Sequence, residues 1–197
     1  MKSLSEIETV SKRASRAAGY SWGVAEEVAK NIRLLEIFNL PGIKNLNSFF
    51  KKKKELRLEN ISLINKDNEA NKNGYCPIIA GLNCLDQIRT LEDLNEITFK
   101  KISYPLLFLP FISRASEVIG KRIFLKMDDR EFLLNFNNNI YSNHTKNEII
   151  ESAENIYLKV LENQDSFEEK EWNELYKLSE ETFVEENESL KQGGAGA

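Results

Sequence analysis

The chain has 197 residues, 41% of them hydrophobic, which suits one buried core and excludes wholesale disorder. Its formal charge of −4 is uneven: residues 148–188 carry 14 acids and 3 bases, net −11, and residues 1–147 a net +6. The opening MKSLSEIETVSK lacks the apolar segment of a secretory signal, and the longest apolar run, 105–112, is short and holds two prolines, so a cytoplasmic protein with no membrane partner is expected.

In chain order, Ser3 and Ser5 stand three residues before Glu6 and Glu8, the spacing of a capping box. Leu4, Ile7, Val10, Ala14 and Ala17 then form one apolar stripe that ends at Gly19. Ser21 caps a second helix with Val24, Val28, Ile32 and Leu35 inward, stopped by Pro41-Gly42, so the two make an αα-hairpin. A short helix over 46–54, broken strand alternation at 56–63 and a polar loop over 65–74 follow. Pro77 suits the first turn of a helix over 78–88, which Gly81 weakens. A strand is expected over 97–102, then a helix capped by Ser103, bent at Pro110 and ended by Gly120. Residues 122–127 and 131–136 read as a β-hairpin. Thr145 and Glu148 make a further capping box, with Ile149, Ala153, Ile156, Tyr157 and Val160 predicting a helix to 162. Ser166 caps a last helix with Trp172, Leu175, Tyr176 and Phe183 on one side. The pattern predicts an α+β, mainly helical single domain over 1–184, with an N-terminal αα-hairpin, a small antiparallel sheet and a flexible tail over 185–197.

No motif of established chemistry occurs, so candidate sites rest on local physics. The stretch GYSWGVAEE, 19–27, sits at a helix N-terminus, where unpaired N–H groups and a partial positive charge attract carboxylates and phosphates. Gly23 would admit a ligand to the backbone, Tyr20 and Trp22 could stack on it, and Arg16 is nearby. Capping rules explain the same residues as a tight corner, with Gly23 the one left over. Glu26 and Glu27 suit the helix dipole, and Glu26 has Lys30 four residues on. Cys76 precedes a helix start that favours thiolate, yet free cysteines are usually buried, and the single histidine, His144, is distant in sequence. Cys76 and Cys84 are too far apart for the usual zinc pair, so no metal is assigned. Lys51 to Lys54 after Phe49-Phe50 resembles a phosphate-contacting patch, but an acidic chain without a nucleic-acid motif makes a solvated helix end the better reading.

The block from Arg13 to Glu27, followed by Leu40-Pro41-Gly42, resembles the N-terminal block of an uncharacterised bacterial family of unknown function. The likeness continues through residues 76–81 and 105–111 to the small-residue tail 193–197. It brings no activity or cofactor, but implies that the corner, the Cys76-Pro77 block and the tail belong to one unit. The leading expectation is a small-molecule-binding protein or metabolic enzyme whose pocket lies at the start of the second helix. There Ser21, Trp22, Gly23 and Arg16 would hold an anionic metabolite, a carboxylate or phosphate, under Tyr20. Glu27 and Cys76 are the candidates for proton transfer or covalent work. The alternative is a non-catalytic accessory subunit that binds a protein partner through its acidic C-terminal helix, anchored by Trp172 and Tyr176.

Overall fold

The computed structural model describes residues 2–182. Contacts gather into two compact units, Met1–Glu162 and Asn163–Ala197. Among the described residues the first unit holds five α-helices: α1 (Leu4–Ala17), α2 (Trp22–Ile37), α3 (Gly42–Leu56), α4 (Pro77–Leu91) and α5 (Leu109–Ile119). Its six strands are β1 (Asp67–Glu69), β2 (Glu96–Ser103), β3 (Arg122–Met127), β4 (Arg130–Leu134), β5 (Ile140–Ser142) and β6 (Ser152–Leu161). They form one sheet in the order β1-β2-β6-β3-β4-β5, with β1 parallel to β2 and every other pair antiparallel. The fold is α+β, with a larger and mixed sheet where a small antiparallel one was expected.

The N-terminal hairpin forms as its caps predict. Ser3 Oγ accepts the Glu6 N–H at 3.2 Å, and Ser21 Oγ accepts the Val24 N–H at 3.3 Å. The buried face of α1 is not the expected stripe, however. Ser11 and Ser15 are buried, while Val10 and Leu4 are exposed. Small side chains let α1 lie close on α2, whose facing positions include the fully buried Ala25 and Ala29. Ser15 Oγ bonds back to the Ser11 carbonyl at 2.8 Å, whereas the buried Ser11 hydroxyl has no hydrogen-bond partner among the described residues.

The helix expected over 149–162 is instead β6, at the centre of the sheet between β2 and β3. Its buried positions are Ala153, Ile156, Leu158 and Val160. The last three alternate as a strand demands, but the step from 153 to 156 is a phase slip that imitates helical spacing. Asp128 supports the slip: its carboxylate accepts the N–H groups of Glu154 and Asn155 at 3.2 and 2.9 Å. The supposed capping residue Glu148 pairs with Arg130 at 3.1 Å instead. Two long neighbouring strands outweigh a local cap.

Other boundaries moved less. Pro41-Gly42 opens α3 rather than only ending α2. The stretch 56–63 forms no strand beyond an isolated bridge from Glu59 to Tyr75, and the polar loop contains the short β1. Pro105–Leu107 is a single 3-10 turn before α5, which Gly120 ends in the left-handed conformation. Leu106, Phe108, Leu109 and Phe111 of this segment are almost fully buried, with Phe99 of β2 against Phe108 at 5.5 Å between ring centroids.

The second unit contains α6 (Glu169–Glu180), capped by Glu168 and Glu171 rather than by Ser166. Trp172, Leu175, Tyr176 and Leu178 are exposed. Phe183 and the tail expected over 185–197 lie outside the described residues. Among the described residues no helix is long and apolar enough to cross a membrane.

Candidate functional site

The corner singled out in the sequence is internally satisfied. Gly19 takes the left-handed φ of +97° after α1, and Ser21 caps α2. Arg16 donates from Nη1 to the Tyr20 carbonyl at 3.0 Å and lies 5.5 Å from the centroid of the exposed Trp22 ring. A Cβ built on Gly23 would meet nothing within 4 Å, so no chain segment presses on it.

Tyr20 turns the other way, into the core, where its hydroxyl meets Cys76 Sγ at 3.6 Å. Above its ring, at 3.8 Å, sits the Lys53 ammonium, which also donates to the Ala18 carbonyl at 2.8 Å. Burial, and then Cys76, push the Tyr20 hydroxyl far above its ordinary range, and burial pulls Lys53 down. The corner and the Cys76-Pro77 block therefore do meet, as a buried knot tying α1, α3 and the start of α4.

Glu27 is half-buried between α2 and α5, where it pairs with Arg114 and, at 3.2 Å, with Lys30. Burial raises its carboxyl, but the hydrogen bonds and charge of Arg114 and Lys30 outweigh this and hold it below the usual range. His144 is not brought to Cys76. It lies in a 150 Å³ notch with Arg130 and Glu148. Among the described residues no group of three or more His, Cys, Asp or Glu side chains is placed to hold a metal ion.

Two clefts of more than 300 Å³ lie elsewhere. One, of 460 Å³, is mainly apolar and is lined by Ile7 and Val10 of α1 with Ile43 of α3. The other, of 340 Å³, is lined by polar and apolar surface in about equal parts, and its charged residues are Lys52, Glu55, Lys72, Lys101 and Glu151. Its walls come from α3, the 72–73 loop, the end of β2 and the segment entering β6.

Local folding explains why those groups meet. Lys101 and Tyr104 both hold positive φ, +62° and +47°, a conformation rare for residues with side chains. Tyr104 is pinned at both ends: its N–H donates to the Glu151 carbonyl at 2.9 Å, and its hydroxyl lies 2.9 Å from Ser48 Oγ. The segment 144–151 is held to α3 by Asn45, which is fully buried. Asn45 Nδ2 donates to the carbonyls of Pro41 and Glu148 at 2.8 and 3.3 Å, and Oδ1 accepts the Ile150 N–H at 3.1 Å. Glu151 is thereby set beside Lys52, whose ammonium it bonds, holding Lys52 above its ordinary range. Lys101 lies 3.9 Å from Glu154. Lys72 makes no ion pair among the described residues.

Sequence reasoning missed this cleft except for Lys52, one of the four consecutive lysines. Tyr104-Pro105 gave no signal for it, since a residue before proline is expected to be extended and Tyr104 is left-handed.

No curated protein and no solved structure matches the chain. Residues 2–76, from the strand-free hairpin through β1 to the cysteine of the knot, match the model of a family described as Protein of unknown function (DUF3726), so this part of the chain is similar to an uncharacterised family of unknown function.

Proposed function

We propose that the protein binds a small anionic metabolite, a carboxylate or phosphate, in the 340 Å³ cleft between α3 and the ends of β2 and β6. The observation that carries this reading is the set of three lysines, Lys52, Lys72 and Lys101, lining one concavity against two carboxylates, Glu55 and Glu151. Cationic donors around a small cleft suit anion recognition, and the volume falls in the range of roughly 300–1,000 Å³ usual for ligand sites. Backbone strain at Lys101 and Tyr104, of order 1–3 kcal/mol each, is the kind of cost that clusters at ligand sites. Neither Glu27 nor Cys76 lines the cleft, so binding is assigned without chemistry at those residues.

Thermal-shift measurements with a panel of carboxylates and phosphates test it, repeated on Lys72→Ala. Lys72 is exposed and unpaired among the described residues, so its loss should leave the unliganded melting temperature unchanged. Anion affinity should fall about five- to tenfold, the effect of removing roughly 1 kcal/mol of charge attraction near the surface. No stabilisation by any anion, or equal stabilisation of Lys72→Ala, contradicts the reading. A stable complex with another protein, in the absence of any anion effect, would favour the second reading, an accessory subunit. That reading is supported by the exposed Trp172, Leu175, Tyr176 and Leu178 on acidic α6.

A further inference from the structure

We infer that the cleft is selective for a phosphate monoester in its dianionic form over a monocarboxylate, and that the Glu151 carboxylate sets this selectivity as a built-in competitor at Lys52. The inference rests on the cleft being the ligand site. Two of its three lysines already face carboxylates: Lys52 bonds Glu151, and Lys101 lies 3.9 Å from Glu154. A monocarboxylate that takes Lys52 exchanges one carboxylate for another of equal charge and equal acceptor number. The electrostatic gain is then small, and it must still offset the freedom lost on association. A phosphate monoester is different, because it carries about −1.5 to −2 charge and three strong acceptor oxygens. One oxygen can replace Glu151 at Lys52, while the others remain for Lys72 and Lys101, which line the same cleft. Glu151 suits a displaceable role. Its backbone is fixed by the Tyr104 N–H, but its side chain is 61% exposed and can swing into water.

The test measures dissociation constants of the full chain for methyl phosphate, sulfate and acetate at pH 8, with methyl phosphate and sulfate repeated at pH 5. Methyl phosphate should bind at least tenfold more tightly than acetate at pH 8. On going to pH 5 it loses its second charge and should weaken at least fivefold relative to sulfate, which stays dianionic. Sulfate thus absorbs any titration of the protein's own Glu55, Glu151 and Glu154, or of the lysines facing them. Glu151→Gln, an exposed change that leaves the backbone bond to Tyr104 in place, should tighten methyl phosphate at least threefold. Acetate binding as tight as methyl phosphate, or methyl phosphate following sulfate across pH, overturns the dianion selectivity. An unchanged affinity in Glu151→Gln overturns the competitor role. In each of these cases anion binding is still weakened by Lys72→Ala. Loss of the cleft reading itself looks different: no anion binds, or Lys72→Ala binds as the parent does. Phosphatidylcholine vesicles containing phosphatidic acid separate the two sources of the same group. Sedimentation that Lys72→Ala abolishes assigns a lipid headgroup, and methyl phosphate binding without sedimentation assigns a free small molecule.

Discussion

Asn45→Ala is expected to lower the unfolding free energy of the first unit by about 2–4 kcal/mol, since it leaves the buried Ile150 N–H without its acceptor and empties the space that the side chain fills. The side chain is fully buried and makes three hydrogen bonds, to Pro41 and Glu148 carbonyls and from the Ile150 N–H. The Ile150 amide is itself in a buried residue, so water cannot readily replace the lost acceptor. For a unit of this size the loss corresponds to a fall in melting temperature of about 2–4 °C per kcal/mol, measurable by circular dichroism. The nearby Lys44 bonds to Asn147 at 2.9 and 3.1 Å on an exposed face, and Lys44→Ala should change stability by no more than about 0.5 kcal/mol. If the two variants were equally mild, segment 144–151 would be held by something other than Asn45.

Gly81→Ala should destabilise the protein by about 1–3 kcal/mol or more, the cost of overpacking a filled core. A Cβ at this position would lie 2.4, 2.7 and 2.9 Å from Cδ2, Cγ and Cβ of Phe111, far inside contact distance. Phe111 is only 1% exposed, and its own Cβ is among the clashing atoms, so the ring cannot simply rotate aside. The helix-propensity gain of alanine over glycine, about 1 kcal/mol, only partly offsets this. Gly23→Ala is the contrasting case, with open space around the new methyl, and chemical denaturation should show it neutral or slightly stabilising. Of these two glycines, the one that approaches a neighbour closely is thus Gly81 in α4, against Phe111 of α5, and not Gly23 beside the exposed tryptophan.

That reversal marks the limit of what the sequence conveys. Signals that act over a few residues were legible: the Ser3 and Ser21 caps, Pro77 at the first turn of α4, Gly120 ending α5, and the β3–β4 hairpin. Signals that depend on distant partners were not. β6 carries a phase slip that mimics a helix, and only its pairing with β2 and β3 reveals it as a strand. The apolar stripe of α1 was visible, but its direction was decided by the small buried Ser11 and Ser15 against α2. The cleft combines side chains separated by up to about a hundred positions, and each of them looks like ordinary surface in its own segment. Tyr20 and Cys76 were correctly suspected of meeting, yet they meet as buried packing, while Arg16, Ser21 and Trp22 stay at the surface.

Backbone amide chemical-shift mapping during titration with methyl phosphate tests the location of the site most directly. Saturable shifts concentrated at Lys72, Asn73, Lys101, Tyr104 and Glu151 are the expected result. Shifts confined to Arg16 and Ser21 to Val24, or the absence of any saturable shift, would contradict a ligand site in the lysine-lined cleft.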